Sequence, residues 1–264
     1  YASCDSFWVR GRIMSGNKLK WIAMLTMLID HTGAVVVWPF IEAHPEIHGS
    51  GDNLKLTGLV MLYFMMRLIG RIAFPIFIFL LIQGFSKTHN RIMYFVRLLL
   101  FAIISEIPFD LAFTLRGEDV RAGQLVEFSY QNVFFTLAFG LISITLIDAI
   151  DNLCKEPSLR MIGILLTALG AMAIAYLSRA DYDVMGIVAI ILAYAFRDNM
   201  VKQMLACIVT LSVVSVIEVV ALLGLPFVLK YNGERGHGNK YLFYAFYPVH
   251  LLMLVGIRAL CGNF

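Results

Sequence analysis

An all-α polytopic bundle of about eight membrane-spanning helices, roughly seven to nine, is the predicted fold class. Three observations carry that prediction. The residues AVILMFWYC make up 60% of the 264, DEKR make up 15%, and the mean hydropathy is +0.80. A soluble domain of ordinary composition is about 25% charged, and a water-facing surface needs those charges. Apolar stretches near the ~20 residues of a spanning helix recur along the whole chain. The two-residue alternation of barrel strands is missing, so helices must satisfy the backbone in lipid. Together these exclude a soluble enzyme, a nucleic-acid-binding domain, a disordered chain and a disulfide-rich secreted scaffold.

The first span is expected at Leu19–Ile41, after a tail over residues 1–18. Asp30 and His31 lie in its middle, which no secretory signal carries. A polar loop follows with Glu42, His44, Glu46, His48 and Asp52. Leu56–Phe85 is longer than one span needs and holds Arg67, Gly70, Arg71 and Pro75, which predicts a broken helix. Ile92–Phe113 is third, and Tyr130–Ile150 and Leu159–Leu177 come next. Met185–Phe196 is short, hence tilted or partly interfacial, and Val201–Leu229 is too long for one straight span. Tyr241–Leu260 is last. No loop is long enough for a soluble domain, so residues 19–260 form a single membrane domain.

Arg10, Arg12, Lys18 and Lys20 precede the first span, Lys87 and Arg91 divide the second from the third, and Lys155 and Arg160 divide the fourth from the fifth. The positive-inside rule then places the N-terminus in the cytoplasm. The side of the 230–240 loop depends on whether 201–229 crosses once or twice. The net charge of +3 is scattered, which is no footprint for nucleic acid. Cys4, Cys154, Cys207 and Cys261 show no metal spacing, and no metal is expected.

The scarce charges carry the functional information. Asp30, His31, Arg67, Arg71, Arg97, Glu106, Asp110, Glu218, His250 and Arg258 all fall inside apolar stretches. Each costs roughly 2.5–3.5 kcal/mol at a helix centre, so both signs are expected to pair around an internal polar cavity. His31 sits roughly 18 Å into its span at 1.5 Å per residue, near mid-membrane. Neighbours in sequence point about 100° apart on a helix, so Asp30 is expected to pair with an arginine of another helix rather than to orient His31. Arg67 and Arg71, four apart on one face, require an anion between them. Acidic side chains such as Asp30 and Glu106 meet that need, as does a bound phosphate or carboxylate. Asn132 is expected to line the cavity. In the stretch 231–241, Asn232 and Gly233 signal a turn, and Arg235 and Lys240 add positive charge near flexible glycines, as in a connecting loop or a phosphate-holding loop.

Seven stretches resemble the TraX family: LKWIAMLTMLIDHTG at 19–33, RLIGRIAFPIFIFLLIQGF at 67–85, YFVRLLLFAIISEIPFDL at 94–111, QNVFFTLAFGL at 131–141, ADYDVMGI at 180–187, YNGERG at 231–236 and FYAFYPVHLLML at 243–254. That family is named for the acetylase that modifies conjugative F-pilin at its N-terminus, and it is similar to the wider membrane acyltransferases. The resemblance implies transfer of an acetyl or other acyl group from acyl-CoA to an amine of a pilin, peptide or other acceptor at the bilayer. It implies His31 as the catalytic histidine, with Asp30 and His250 beside it. Arg67 and Arg71, or Gly233, Arg235 and Lys240, are then expected to hold the CoA phosphates. Asn132, Tyr247 or His250 is expected to face the thioester oxygen, with Arg97, Glu106 and Asn232 lining the cavity. Pro248 is expected to break the last helix and turn His250 inward. A proton-coupled transporter also places ionisable groups at mid-membrane and is the alternative.

Overall fold

The computed structural model describes residues 13–44, 53–115, 119 and 123–261, with the backbone alone at 53–56 and 240. The helices in chain order are α1 (Gly16–Ala43), α2 (Asn53–Gly70), α3 (Ala73–Lys87), α4 (Arg91–Phe113), α5 (Val133–Leu153), α6 (Pro157–Ser178), α7 (Asp183–Ala195), α8 (Met200–Ser212), α9 (Val216–Leu229) and α10 (Lys240–Leu260). No β-strand occurs among the described residues. Six stretches are long and apolar enough to cross a bilayer: α1, α2 with α3, α4, α5, α6 and α10. Helices α7, α8 and α9 are apolar but shorter. The chain is an integral membrane protein with a helical bundle fold.

Local chemistry sets the ends of these helices. Ser15, Asn90, Asn132, Asn199 and Asn239 each accept a backbone N–H of the following turn. The predicted break in the second span falls at Arg71–Ile72, between α2 and α3. Pro75 has no N–H to offer the Arg71 carbonyl four residues earlier, so the ladder is interrupted there. Pro248, by contrast, lies within an unbroken α10, which corrects the expected break. Its missing donor leaves the Tyr244 carbonyl without its helical partner, and the flanking turns hold.

Residues 201–229 do not cross as one helix. They form α8 and α9, which turn at residues 213–215. Helix α8 begins just after Tyr194, whose hydroxyl donates to Asp148 at 2.7 Å, and Asp148 also accepts from Arg91 at 2.5 Å. Helix α9 ends just before Tyr231, whose hydroxyl lies 2.8 Å from Lys87 Nζ. Lys87 and Arg91 flank one short turn, so α8 and α9 enter the bundle and return to the end they left. The loop after α9 therefore lies at the same end as the start of α1. Three hydrogen bonds confirm this: Met14 N–H to Lys230 O at 2.9 Å, Gly16 N–H to Glu234 O at 2.8 Å and Asn17 N–H to Arg235 O at 2.9 Å.

Lipid is as apolar as the side chains it meets, so close packing and interior polar contacts hold such helices together. The largest buried cluster joins Ile78, Ile82 and Phe85 of α3, Ala102 of α4, Leu141 and Ile144 of α5, Ile190 of α7 and Leu251 of α10. Helix α6 lies at the edge and shows Leu159, Ile162, Leu165, Leu166 and Leu169 to the outside.

Candidate active site

Asp30 sits at the centre of a buried ion cluster. Its Oδ2 accepts from Arg67 at 2.6 Å and its Oδ1 from Arg71 at 3.2 Å. Arg71 also donates to Glu218 Oε1 at 2.9 Å. The break after α2 makes this possible, because it frees Arg71 to point between α1 and α9. Gly70 makes it possible as well, since a Cβ there would overlap the Asp30 side chain. The anion that Arg67 and Arg71 require is thus supplied by Asp30, as expected, and by Glu218 in place of Glu106. Glu106 instead accepts from Asn132 Nδ2 at 2.5 Å.

His31 follows Asp30 and meets a different partner. Its Nδ1 lies 2.8 Å from His250 Nε2, and His250 Nδ1 lies 2.8 Å from the Phe246 carbonyl. A carbonyl only accepts, so His250 carries its proton on Nδ1 and offers a lone pair at Nε2. That lone pair must receive Nδ1–H of His31, which leaves His31 Nε2 as an unprotonated lone pair. The two rings lie within 10° of parallel with centroids 5.0 Å apart, which suits an in-plane N–H···N bond. Asp30 Oδ2 is 4.0 Å from His31 Nε2, too far for a hydrogen bond. Helix α1 continues from His31 into a π-helical turn, Gly33–Val37, of the kind that recurs at functional sites. Phe113 and Tyr247 pack edge-on against the imidazole at 5.1 and 6.0 Å between centroids.

A cavity of about 390 Å³ descends from the loop-bearing end of the bundle. Lys20, Lys87 and Arg235 line its upper part, Arg97 lines its wall, and Met27, Phe134 and Tyr247 line its deeper part. Tyr247 therefore touches both the cavity and the His31 ring. The 231–239 loop is tied over the mouth. Lys87 donates to the Gly233 carbonyl, and Asn17 Nδ2 donates to Gly236 O at 3.0 Å. Gly236 has φ +75° and leaves no room for a Cβ beside Ser15, so the loop depends on glycine there.

The expected site residues thus divide. His31, His250 and Asp30 converge, with Tyr247 against them. Arg235 and Arg97 line the cavity, whereas Arg67 and Arg71 are held by carboxylates. Asn232 closes its own turn, accepting from Glu234 N–H at 2.9 Å. Gly233 offers its carbonyl to Lys87, and the Lys240 side chain lies outside the described residues. Asn132 spends its amide on Ala102 O at 2.8 Å and on Glu106. Sequence reasoning missed Lys20 and Lys87 as site residues, because charges flanking a span read as topology signals. It also missed Asp181. That residue accepts from the Tyr130 hydroxyl at 2.7 Å and from Tyr182 N–H at 3.0 Å. Burial pushes its carboxyl above the usual value, against those two hydrogen bonds. It lies in a turn where Arg179, Tyr182 and Asp183 all have positive φ, at 53°, 62° and 43°. No glycine marks that turn. Among the described residues no group of three or more His, Cys, Asp and Glu is placed to hold a metal ion.

Comparison with known proteins matches the family model described as TraX protein over residues 15–258. A relative from Dichelobacter nodosus, named probable fimbrial assembly protein FimC, serogroup H1, is 25% identical over 92% of this chain and 96% of its own length. No solved structure matches. The family match runs from the first turn of α1 to the last turn of α10 and takes in His31, His250, the ion cluster and the cavity, and the chain belongs to the TraX family.

Proposed function

We propose that the protein transfers an acetyl or other short acyl group from acyl-CoA to a primary amine, with His31 as general base. The observation that carries this reading is the His31–His250–Phe246 chain, which leaves His31 Nε2 as a free lone pair on a ring packed against Tyr247, and Tyr247 in turn lines a cavity also lined by Lys20, Lys87 and Arg235.

A cavity of about 390 Å³ is at the low end of the roughly 300–1,000 Å³ usual for small-molecule sites. That size suits the thioester arm of acyl-CoA, with the nucleotide outside. Lys20, Lys87 and Arg235 then face the phosphates, and their charge suits that polyanion. The neutral amine attacks the thioester carbonyl, forming C–N, while His31 Nε2 takes the amine proton. The C–S bond breaks and the thiolate leaves with that proton as the free thiol. General-base help of this kind is worth about 10²–10⁴-fold. Of the three side chains expected at the thioester oxygen, Asn132 and His250 are fully engaged. That leaves Tyr247, which lines the cavity, to donate its O–H to the thioester oxygen.

Basic residues crowd the loop-bearing end, which supports a cytoplasmic placement of the donor mouth in an inner membrane. Membership of a family named for a pilin acetylase, and a relative named as a fimbrial assembly protein, support a pilin or peptide N-terminus as acceptor. The test is transfer of label from acetyl-CoA by the purified protein in lipid nanodiscs to a peptide with a free N-terminus. Labelled N-acetyl peptide is the expected product, and its absence would overturn the reading. In the same assay Lys87→Met with Arg235→Met is expected to raise the KM for acetyl-CoA about tenfold or more and to leave the peptide KM unchanged. Equal changes in both would remove the phosphates from this mouth.

A further inference from the structure

We propose that Arg97 and Lys20 bind the phosphate at the head of the pantetheine arm, so that the donor is read as a phosphopantetheine thioester and its nucleotide adds little; this rests on the acyl-transfer reading above.

Four positive side chains, Lys20, Lys87, Arg97 and Arg235, line one cavity, and no carboxylate lines it among the described residues. Other arginines of the bundle are matched: Arg67 and Arg71 hold Asp30, and Arg91 holds Asp148. Arg97 has no such pair among the described residues. Its Nε is buried with no hydrogen-bond partner, and its guanidinium carbon lies 5.9 Å from the centroid of the Tyr94 ring. Six residues past Arg91, it stands ~9 Å inside the apolar helix α4 at 1.5 Å per residue. Lys20 Nζ rests 4.9 Å from the centroid of the Phe243 ring. Tyr244, the next residue of α10, stacks at 4.9 Å on Phe101, one turn along α4 from Arg97. Helix α10 therefore brings Lys20 and Arg97 to a similar depth in the same cavity. An unpaired charge at such depth is costly, and like charges around one space repel, so the pair calls for an anion. The guanidinium fork matches phosphate oxygens two at a time, and Lys20 adds a point charge.

Length fits a phosphate at that level. His31 lies eleven residues beyond Lys20 in α1, ~16 Å along the axis. An extended pantetheine arm spans ~15 Å from phosphorus to sulfur at ~1.2 Å per bond. A phosphate at Lys20 and Arg97 therefore sets the thioester level with His31 and with Tyr247, which packs against its ring. The walls between are mostly apolar, with Met24, Met27, Leu98 and Phe134, and suit an uncharged arm. A phosphate held only by Lys87 and Arg235, nearer the mouth, would leave the thioester short of His31. Those two cations remain for the outer phosphates of CoA.

The test is displacement of labelled CoA from the protein in nanodiscs by CoA, 4′-phosphopantetheine and pantetheine, alongside acetyl transfer from the three acetyl thioesters. 4′-Phosphopantetheine is expected to bind within about tenfold of CoA, and pantetheine about a hundredfold or more weaker than 4′-phosphopantetheine. Arg97→Met is expected to shrink that phosphate preference about tenfold or more, and Arg97→Lys, which keeps the charge and loses the fork, to shrink it less. Neither change strands a paired carboxylate, so both variants are expected to melt near the wild type. Should Arg97→Met melt early, Arg97→Lys and the wild-type comparison decide. Pantetheine binding as tightly as 4′-phosphopantetheine, or a preference that both variants keep in full, would overturn the proposal. Phosphate preference without any transfer would overturn only the acyl-transfer reading. Transfer in which S-acetylpantetheine serves as well as acetyl-CoA would overturn only the phosphate site.

Discussion

Alanine at His31 is expected to slow acetyl transfer by about 10²–10⁴-fold, the usual share of a general base. CoA binding should be preserved, because His31 does not line the cavity. Rate and binding therefore separate: kcat falls and the affinity for CoA does not. His250→Ala should give a smaller loss, since it frees His31 Nδ1 and lets either tautomer form while leaving the base in place. Single-turnover transfer with purified variants checks both. A His31→Ala protein that transfers at the wild-type rate would show that the lone pair at Nε2 is idle.

The largest stability effect is expected from Asp30→Ala. It removes the carboxylate shared by Arg67 and Arg71 and leaves an excess positive charge at membrane depth. Breaking a buried ion pair from one side costs about 3–5 kcal/mol. The melting temperature of the detergent-solubilised protein should drop clearly. Gly70→Ala should act in the same direction, because its Cβ displaces the Asp30 side chain. Arg67→Met should cost less, since Arg71 still holds both Asp30 and Glu218. Equal losses from Asp30→Ala and Arg67→Met would contradict the central position of Asp30.

These two residues also show how much of the molecule was readable in advance. The spans were legible because lipid demands long apolar helices, and His31 and Asp30 stood out because lipid tolerates so few exceptions. The rule that adjacent helical residues diverge separated Asp30 from His31 correctly. The partner choices were not legible. Glu218 comes from a helix 147 residues beyond Arg71, and nothing in the sequence prefers it to Glu106 until α9 folds back into the bundle. His250 was one of three side chains expected at the thioester oxygen, yet its 2.8 Å contact with His31 spans 219 residues and depends on the Phe246 carbonyl. Lys20 and Lys87 carry the same charges whether they mark topology or line a mouth, and only the loop packed over them tells which. The turn at 179–183 hid for another reason: its positive φ angles fall on Arg, Tyr and Asp rather than on glycine.

The donor cavity and the histidine beneath it are joined by one geometric claim, that the thioester of a bound acyl-CoA comes to rest at Tyr247 within reach of His31 Nε2. Cryo-electron microscopy of the protein in nanodiscs with a non-hydrolysable thioether analogue of acetyl-CoA tests it directly. The phosphates should lie among Lys20, Lys87 and Arg235, with the acyl carbonyl against the Tyr247 hydroxyl. An analogue bound outside this cavity, or one whose acyl end points away from His31, would contradict it.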